Sequence, residues 1–159
     1  MWRSATSTER AVLGRDATVR AWLSGAGLTA AIAHERWQIG VRTASAVDKD
    51  QVVHALADAH DASLGVGPGL MRAVTGFHLP ACSILVADGE QVAALSWGRP
   101  LGLAELGDWE YIVSTTPPVL ATGSRTAQWR LLPPGMLLVL DPCGPTYFPL
   151  PLPPDLEQT

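Results

Sequence analysis

The sequence has little charge, and its positive charge is scarce and dispersed. Only 16% of the 159 residues are charged, Lys49 is the single lysine, and the formal net charge is −4. Proteins that bind nucleic acid need clustered lysine and arginine, because contacts to phosphates dominate their affinity. We therefore exclude a nucleic-acid partner. The low charge also predicts that another protein covers part of the surface, the alternative being an ordinary soluble domain rich in alanine and glycine.

Cysteine is nearly absent, and long hydrophobic runs are missing. Cys82 and Cys143 are the two cysteines, and Cys82 lies in an apolar run that predicts a buried thiol. No apolar run approaches the ~18 residues of a membrane-spanning helix. The first twelve residues lack the apolar core of a secretory signal. These absences predict a reduced, cytoplasmic protein without a membrane partner.

The length predicts one domain with two different ends. Residues 1–16 are polar and are expected to be loose, and residues 17–142 are expected to form the domain. Residues 143–159 form a proline-rich tail. Proline excludes a central strand or helix there, so we predict an extended tail that is either disordered or laid across a surface.

Turn residues divide the apolar runs of the second half into strands. Asp88-Gly89 separates the runs Ala81–Ala87 and Val92–Leu95, which is typical of a β-hairpin. Further strands are predicted at Tyr111–Ser114 and Met136–Leu140, each bounded by prolines.

Helices are predicted mainly before this region. Asp48 is the expected N-cap of a helix whose apolar face contains Val52, Leu56 and Ala59. A short helix is also predicted at Thr18–Leu23. The glycine-rich segment Gly65–Gly69 is interpreted as a flexible linker, because it lacks the pattern of a phosphate-binding loop.

Metal and cofactor binding find little support in the sequence. His54, Asp58 and Asp61 recur at helical spacing, but a zinc site needs three or four ligands in a closed geometry. No second cluster supplies the remaining ligands. We interpret these residues as a solvated helix face, and we predict neither a metal nor a cofactor.

The order of several segments resembles a known family. Gly98-Arg99-Pro100-Leu101, Trp109–Ser114, Trp129–Gly135 and Leu137–Asp141 resemble the later half of class II glutamine amidotransferase domains, over about residues 75–142. The segment Ile32–Trp37 is similar to the family's "AHxRW" segment, whose arginine lies at the glutamine site. The resemblance implies an α+β fold of the N-terminal-nucleophile hydrolase type, with antiparallel sheets in αββα layers, here minimal or truncated.

The residues that perform the family's chemistry differ here. Its N-terminal cysteine nucleophile is replaced by Met1-Trp2, its "ASE" reads Ser114-Thr115-Thr116, and the chain has no asparagine for the oxyanion site. Acyl transfer needs an activated nucleophile, and losing even one oxyanion donor costs about 10²–10³ in rate. The resemblance therefore implies a retained fold without the glutaminase.

Three functions remain open. The first is a non-catalytic amidotransferase-like module that packs against a partner enzyme, an amide-forming ligase being the one the resemblance implies; self-association is left open. The second is a divergent amidohydrolase acting on glutamine or a γ-glutamyl amide, with Cys143 or Thr115 as nucleophile. The third is a small-molecule pocket between the sheet layers, with Arg36, Arg99 and Ser114 as polar contacts.

Overall fold

The computed structural model of the protein describes residues 2–5, 8–13, 19–24, 30–32, 37–61, 63–88, 91–105, 111–114, 129–141 and 144–157. Within these residues the chain forms twelve strands and two helices: β1 (Trp2–Ala5), β2 (Thr8–Leu13), β3 (Val19–Ser24), β4 (Ala30–Ile32), β5 (Trp37–Thr43), α1 (Ala46–Ala59), α2 (Val66–Gly76), β6 (Cys82–Ala87), β7 (Val92–Trp97), β8 (Gly102–Glu105), β9 (Tyr111–Ser114), β10 (Trp129–Leu131), β11 (Met136–Asp141) and β12 (Gly144–Pro149). Every pairing between these strands is antiparallel, which confirms the predicted α+β class.

Six strands form the main sheet, in the order β12-β11-β7-β6-β5-β4. Its centre is the hairpin that the sequence predicts around Asp88, in which Ala87 pairs with Val92. The Asp88 carboxylate accepts a hydrogen bond from the Gln91 N–H at 2.8 Å, and the Asp88 N–H donates to the Gln91 carbonyl at 3.2 Å. Both hairpin strands are buried along their whole length, because other elements cover both faces of the sheet.

Helices α1 and α2 cover one face of the main sheet. On α1, Val52, Ala55, Leu56 and Ala59 lie on one side at helical spacing and are buried, as the sequence predicts. Full burial of one Val or Leu side chain contributes about 1.5–3 kcal/mol. The main sheet contributes the other half of this core: Trp37, Ile39, Val41, Cys82, Ile84, Val86, Ala93, Leu95, Trp97, Leu137 and Val139.

The N-cap of α1 is Ser45, three residues before the predicted Asp48. The Ser45 hydroxyl accepts a hydrogen bond from the Asp48 N–H at 3.1 Å. Asp48 instead lies in the first turn, where its negative charge is favourable at the positive end of the helix dipole. The prediction was wrong because serine and aspartate both cap helices well. Ser45 and Asp48 lie three positions apart, and the sequence alone did not show which of them is the cap.

The glycine-rich segment is not a linker, so that prediction is wrong. Helix α2 begins directly after its N-cap Gly65 and includes Gly67 and Gly69. A methyl group on Gly69 would overlap the Trp37 ring, and one on Gly67 would lie 2.8 Å from the Val139 Cγ2. The missing side chains thus let the helix backbone lie directly on the sheet.

A three-stranded sheet, in the order β10-β8-β9, covers the opposite face of the main sheet. The two sheets share a second apolar core, formed by Leu85, Ala87, Val92, Ala94, Leu101, Leu103, Val113, Leu132, Leu138 and Leu140. Alternate residues of the central hairpin therefore point to different cores, as the period of two in a strand requires.

The N-terminal segments form a third sheet, in the order β1-β2-β3. The prediction of a helix at Thr18–Leu23 is wrong, since β3 occupies Val19–Ser24. Residues 1–16, expected to be loose, contain β1 and β2. The ladder from Thr8↔Ser24 to Leu13↔Val19 pairs six residues of each strand. A single helix of that length would be only marginally stable on its own.

The proline-rich tail is extended and lies across the molecule, one of the two predicted alternatives. Its first part is the edge strand β12, which pairs with β11. Beyond it, Leu150, Leu152 and Leu156 pack against the helix-side core. The Leu150 N–H donates to the Gly135 carbonyl at 2.9 Å. These contacts bring the last described residues beside the end of β7.

Candidate functional site

The loop after β7 contains the first residues of the family resemblance, and Gly98 shapes it. Gly98 has a φ of +76°, a conformation that costs glycine little and other residues more. A methyl group there would lie 3.2 Å from the Ala81 Cβ and 3.3 Å from the Leu156 Cβ. The glycine therefore turns the chain and lets the tail approach, which places Arg99 between the main sheet and the tail.

Two buried serines fix the following carbonyls of this loop. The Ser96 hydroxyl donates a hydrogen bond to the Arg99 carbonyl at 2.9 Å, and the Ser83 hydroxyl donates to the Pro100 carbonyl at 3.3 Å. The two serines face each other in the β6–β7 ladder and are the buried polar side chains of the described core. Each buried hydroxyl thus has a backbone carbonyl as its acceptor, as buried polar groups generally require.

A cavity of about 300 Å³ lies beside this loop, and we call it the Arg99 cavity. Its walls come from the β7 loop, from the segment after β10 and from the tail. The lining residues are Ser96, Gly98, Arg99, Pro100, Leu131, Leu132, Pro133, Pro134, Leu156 and Glu157. The walls are therefore largely leucine and proline, with one guanidinium group and one carboxylate.

The two charged residues of the cavity do not neutralise each other. Arg99 is half-buried and Glu157 is exposed, and no salt bridge joins them or links Arg99 to another described residue. A guanidinium in a partly apolar cavity is stabilised by an anion that forms hydrogen bonds with it. The arrangement can thus bind an anionic group together with an apolar one.

An exposed leucine separates this cavity from a second hollow. Leu131 is 58% exposed, the most exposed leucine of the described core and surface. On its other side lies a hollow of about 230 Å³, lined by Leu103, Arg130, Leu131, Leu132, Pro133 and Tyr147. We call Leu131 and these two flanking cavities the Leu131 surface. Contiguous apolar patches and concave pockets are typical of binding surfaces.

The described cysteine is not a nucleophile. Cys82 is fully buried in the helix-side core. Burial raises the pKa of its thiol to about 12, and the nearby Arg99 charge only partly opposes that shift. Because the thiolate is the reactive form, this thiol is inert at neutral pH.

The residues considered as metal ligands each have a different environment and do not form one cluster. His54 and Asp58 are exposed on α1. His60 packs edge-on against Trp37, with ring centroids 4.7 Å apart. Asp61 accepts hydrogen bonds from the Ser63 hydroxyl at 2.7 Å and from the Ser63 N–H at 2.8 Å. Among the described residues, no group of three or more metal-ligating side chains lies close enough to hold an ion.

Of the predicted site residues, Arg99 is the one that the structure places in a cavity. Ser114 ends β9 and pairs with Gly102, which in turn pairs with Leu131. Its backbone thus lies in the same row of the small sheet as the exposed leucine. Arg36, Thr115 and Cys143 lie outside the described residues, so their predicted roles stay predictions.

Sequence reasoning missed Ser96, Leu131 and Glu157. Ser96 had a usable signal, since it interrupts an apolar strand directly before Gly98. Leu131 could not be distinguished from a core leucine by its neighbours in sequence. Glu157 reaches the cavity only because the tail folds back over the molecule.

None of the described helices is long and apolar enough to cross a membrane.

The comparisons with known proteins give no family and include a distant structural neighbour. No protein-family model matches the sequence, and no curated protein matches it. Among solved structures, the chain is similar to the glutamine phosphoribosylpyrophosphate (PRPP) amidotransferase from B. subtilis complexed with ADP and GMP. The identity is 13% and the TM-score is 0.47, over 70% of this chain and 29% of that chain. The chain thus spans less than a third of the length of that amidotransferase.

Proposed function

We propose that this chain is a non-catalytic, amidotransferase-like module that binds a partner protein, an amide-forming ligase being the partner implied by the sequence resemblance. In this proposal, the helix layer and the two packed sheets are part of the αββα arrangement of that family. The support for these layers is the pair of apolar cores on opposite faces of the main sheet. The buried free thiol of Cys82 fits a reducing cytoplasm.

The observation that supports a non-catalytic role is the chemistry of the Arg99 cavity. The one hydroxyl of its described lining belongs to Ser96, which is 3% exposed and donates a hydrogen bond to the Arg99 carbonyl. An activated hydroxyl nucleophile would instead donate to a base, such as a histidine. No histidine or cysteine lines the cavity among the described residues. The described lining of the cavity therefore has groups for recognition and, among its described residues, none suited to acyl transfer.

The Leu131 surface supports a protein as the binding partner. It combines an exposed leucine with Tyr147, which is 42% exposed, and with Arg99 and Arg130, which form no salt bridge with another residue that the structure describes. Tyrosine and arginine at the rim of an apolar patch are enriched in protein interfaces. Covering this patch would desolvate its arginines, so a partner should offer anionic groups to pair with them.

The non-catalytic part is tested by incubating the purified chain with glutamine and with γ-glutamyl amides. We expect no glutamate above the rate without protein. Steady glutamate release that disappears in Cys143→Ala or Thr115→Ala would support the divergent amidohydrolase instead. Both residues are tested because they are the predicted nucleophiles of that alternative.

The partner-binding part is tested by the size of the native assembly. In a gentle extract of its host, the chain should elute in a complex larger than its own 16.8 kDa. A mass-spectrometric identification of the companion would then name the partner. Elution of the chain alone, at every ionic strength tested, would contradict the proposal.

A further inference from the structure

The Arg99 cavity has the electrostatic character of a site for one carboxylate. Arg99 is half-buried and has no anionic partner among the described residues. Its surroundings are the apolar side chains Leu131, Leu132 and Leu156. A bidentate pair between arginine and a carboxylate is stronger in such surroundings than in water. The ligand that fits this cavity should therefore supply the anion that pairs with Arg99.

The size and walls of the cavity indicate how the carboxylate is presented. A volume of about 300 Å³ is at the lower end of the range for small-ligand sites. It admits one or two residues and excludes a folded element. The leucine and proline walls suit an apolar side chain next to the anion. The C-terminal residue of a protein has this combination, because its carboxylate and side chain are attached to the same carbon.

One edge of the main sheet, strand β12, offers little for peptide binding by strand addition. Strand β12 lies at that edge and contains Pro145 and Pro149. Proline has no backbone N–H. The backbone nitrogens of these two prolines face the same side of the strand, which is the outer side, where no hydrogen bond to β11 is made. Tyr147 is then the one outward N–H donor of β12. Addition of a further strand to β12 would lack a regular ladder, so at this edge strand addition does not compete with capture of a chain end in the cavity.

We propose that the Arg99 cavity binds the C-terminal residue of a partner protein. The α-carboxylate pairs with the Arg99 guanidinium, and an apolar side chain lies against Leu131 and Pro133. This inference rests on the proposed function, because it names the part of the partner that the module recognises.

Glu157 provides a second test of the inference, because its negative charge should act on the ligand in the opposite direction to that of Arg99. Its carboxylate lines the same cavity and repels an anion, although solvent screens the exposed group. Removing its charge should leave the affinity for a C-terminal peptide unchanged or raise it. A ligand that needs an amino group would respond in the opposite way, because Glu157 would then be its partner.

The experiment uses the full chain and fluorescein-labelled peptides that end in Ser-Gly-Ser-Gly-Ala-Leu. One peptide has a free C-terminus, a second ends in an amide, and a third ends in Ser instead of Leu. Fluorescence anisotropy should show that the amide binds about 10- to 100-fold more weakly than the free acid, since a charged hydrogen-bonded contact is lost. The peptide ending in Ser should also bind more weakly.

Variants of the chain connect this preference to the cavity. Arg99→Gln should bind the free acid and the amide equally, whereas Arg99→Lys should retain part of the preference. Glu157→Gln should bind the free acid at least as tightly as the wild type. Melting temperatures close to that of the wild type would show that each variant is folded.

Three results would overturn the inference. They are equal binding or no binding of acid and amide, weaker binding by Glu157→Gln, and N-acetyl-leucine binding as tightly as the free-acid peptide, which would indicate a small-molecule site. The native complex in host extract is measured separately. If that complex persists while the peptides fail, the module binds its partner in another way; if both fail, the proposed function fails as well.

Discussion

The two faces of the main sheet are covered in different ways. On the helix side, Gly67 and Gly69 bring α2 into direct contact with Val139 and Trp37, and the core is apolar throughout. Around the end of β7, in contrast, the segment after β10 and the tail leave the Arg99 cavity between them. Small contact residues let a regular helix lie directly on the sheet. Loops and a proline-rich tail pack less regularly, and the space they leave is the cavity in which we propose recognition.

The largest effect is expected where the helix face is tightest. Gly69→Ala places a methyl group against the Trp37 ring, and overpacking of a dense core costs about 1–3 kcal/mol. Urea unfolding of purified protein measures the loss. Gly76→Ala is the matched control, because no atom lies within 4 Å of the added methyl group. The control should be neutral or stabilising by up to ~1 kcal/mol, since alanine favours helix. Equal effects of the two substitutions would remove the distinction between a tight and an open helix surface.

An intermediate effect is expected at the serines that hold the cavity loop. Ser96→Ala removes the 2.9 Å hydrogen bond to the Arg99 carbonyl and should destabilise the fold by about 1 kcal/mol. Ser83→Ala removes the longer 3.3 Å bond to Pro100 and should cost less. Both are measured by urea unfolding. If Ser83→Ala proved the more damaging, the loop would depend on Pro100 more than on Arg99.

The smallest effect concerns the loop between the helices. The Ser63 hydroxyl and then the Ser63 N–H lower the pKa of Asp61 below its ordinary value of 3.8, with a smaller contribution from Arg72. The resulting stabilisation is present above that ordinary pKa and is lost as the pH falls through the lower folded value. It is small because the carboxylate is exposed.

Carboxyl-carbon NMR titration measures that pKa directly. Ser63→Ala should raise the pKa of Asp61, and Arg72→Gln should raise it by less. A larger shift in Arg72→Gln would mean that charge, and not hydrogen bonding, holds the carboxylate.

The sequence predicted the parts of the fold that depend on short-range patterns. The hairpin at Asp88 and the apolar face of Val52, Leu56 and Ala59 follow from turn chemistry and helical spacing. The helix at Gly67–Gly69 was missed because glycine disfavours helices locally, and only contact with Trp37 and Val139 explains its presence. The strand at Val19–Ser24 was missed because its partner strand lies in a segment expected to be loose.

The sequence analysis predicted one of the residues that line the cavity. Arg99 was selected through the family resemblance, while Leu131 and Glu157 come from segments that only the tertiary fold brings together. The tail provides the clearest case. Its prolines predicted an extended chain laid on a surface or left disordered, but no local pattern could show that Leu156 and Glu157 reach the end of β7.

The most direct test compares the two faces in partner binding. Tagged wild-type chain, Leu131→Asp and Val47→Asp are expressed in the native host and purified by the tag. Leu131 and Val47 are 58% and 77% exposed, so both substitutions add a charge at a solvent-accessible aliphatic residue, one on the Leu131 surface and one on α1. We expect the same stoichiometric companion with the wild type and with Val47→Asp, and its loss with Leu131→Asp. Retention of the companion by folded Leu131→Asp, or its loss from Val47→Asp, would contradict a binding surface on the open face.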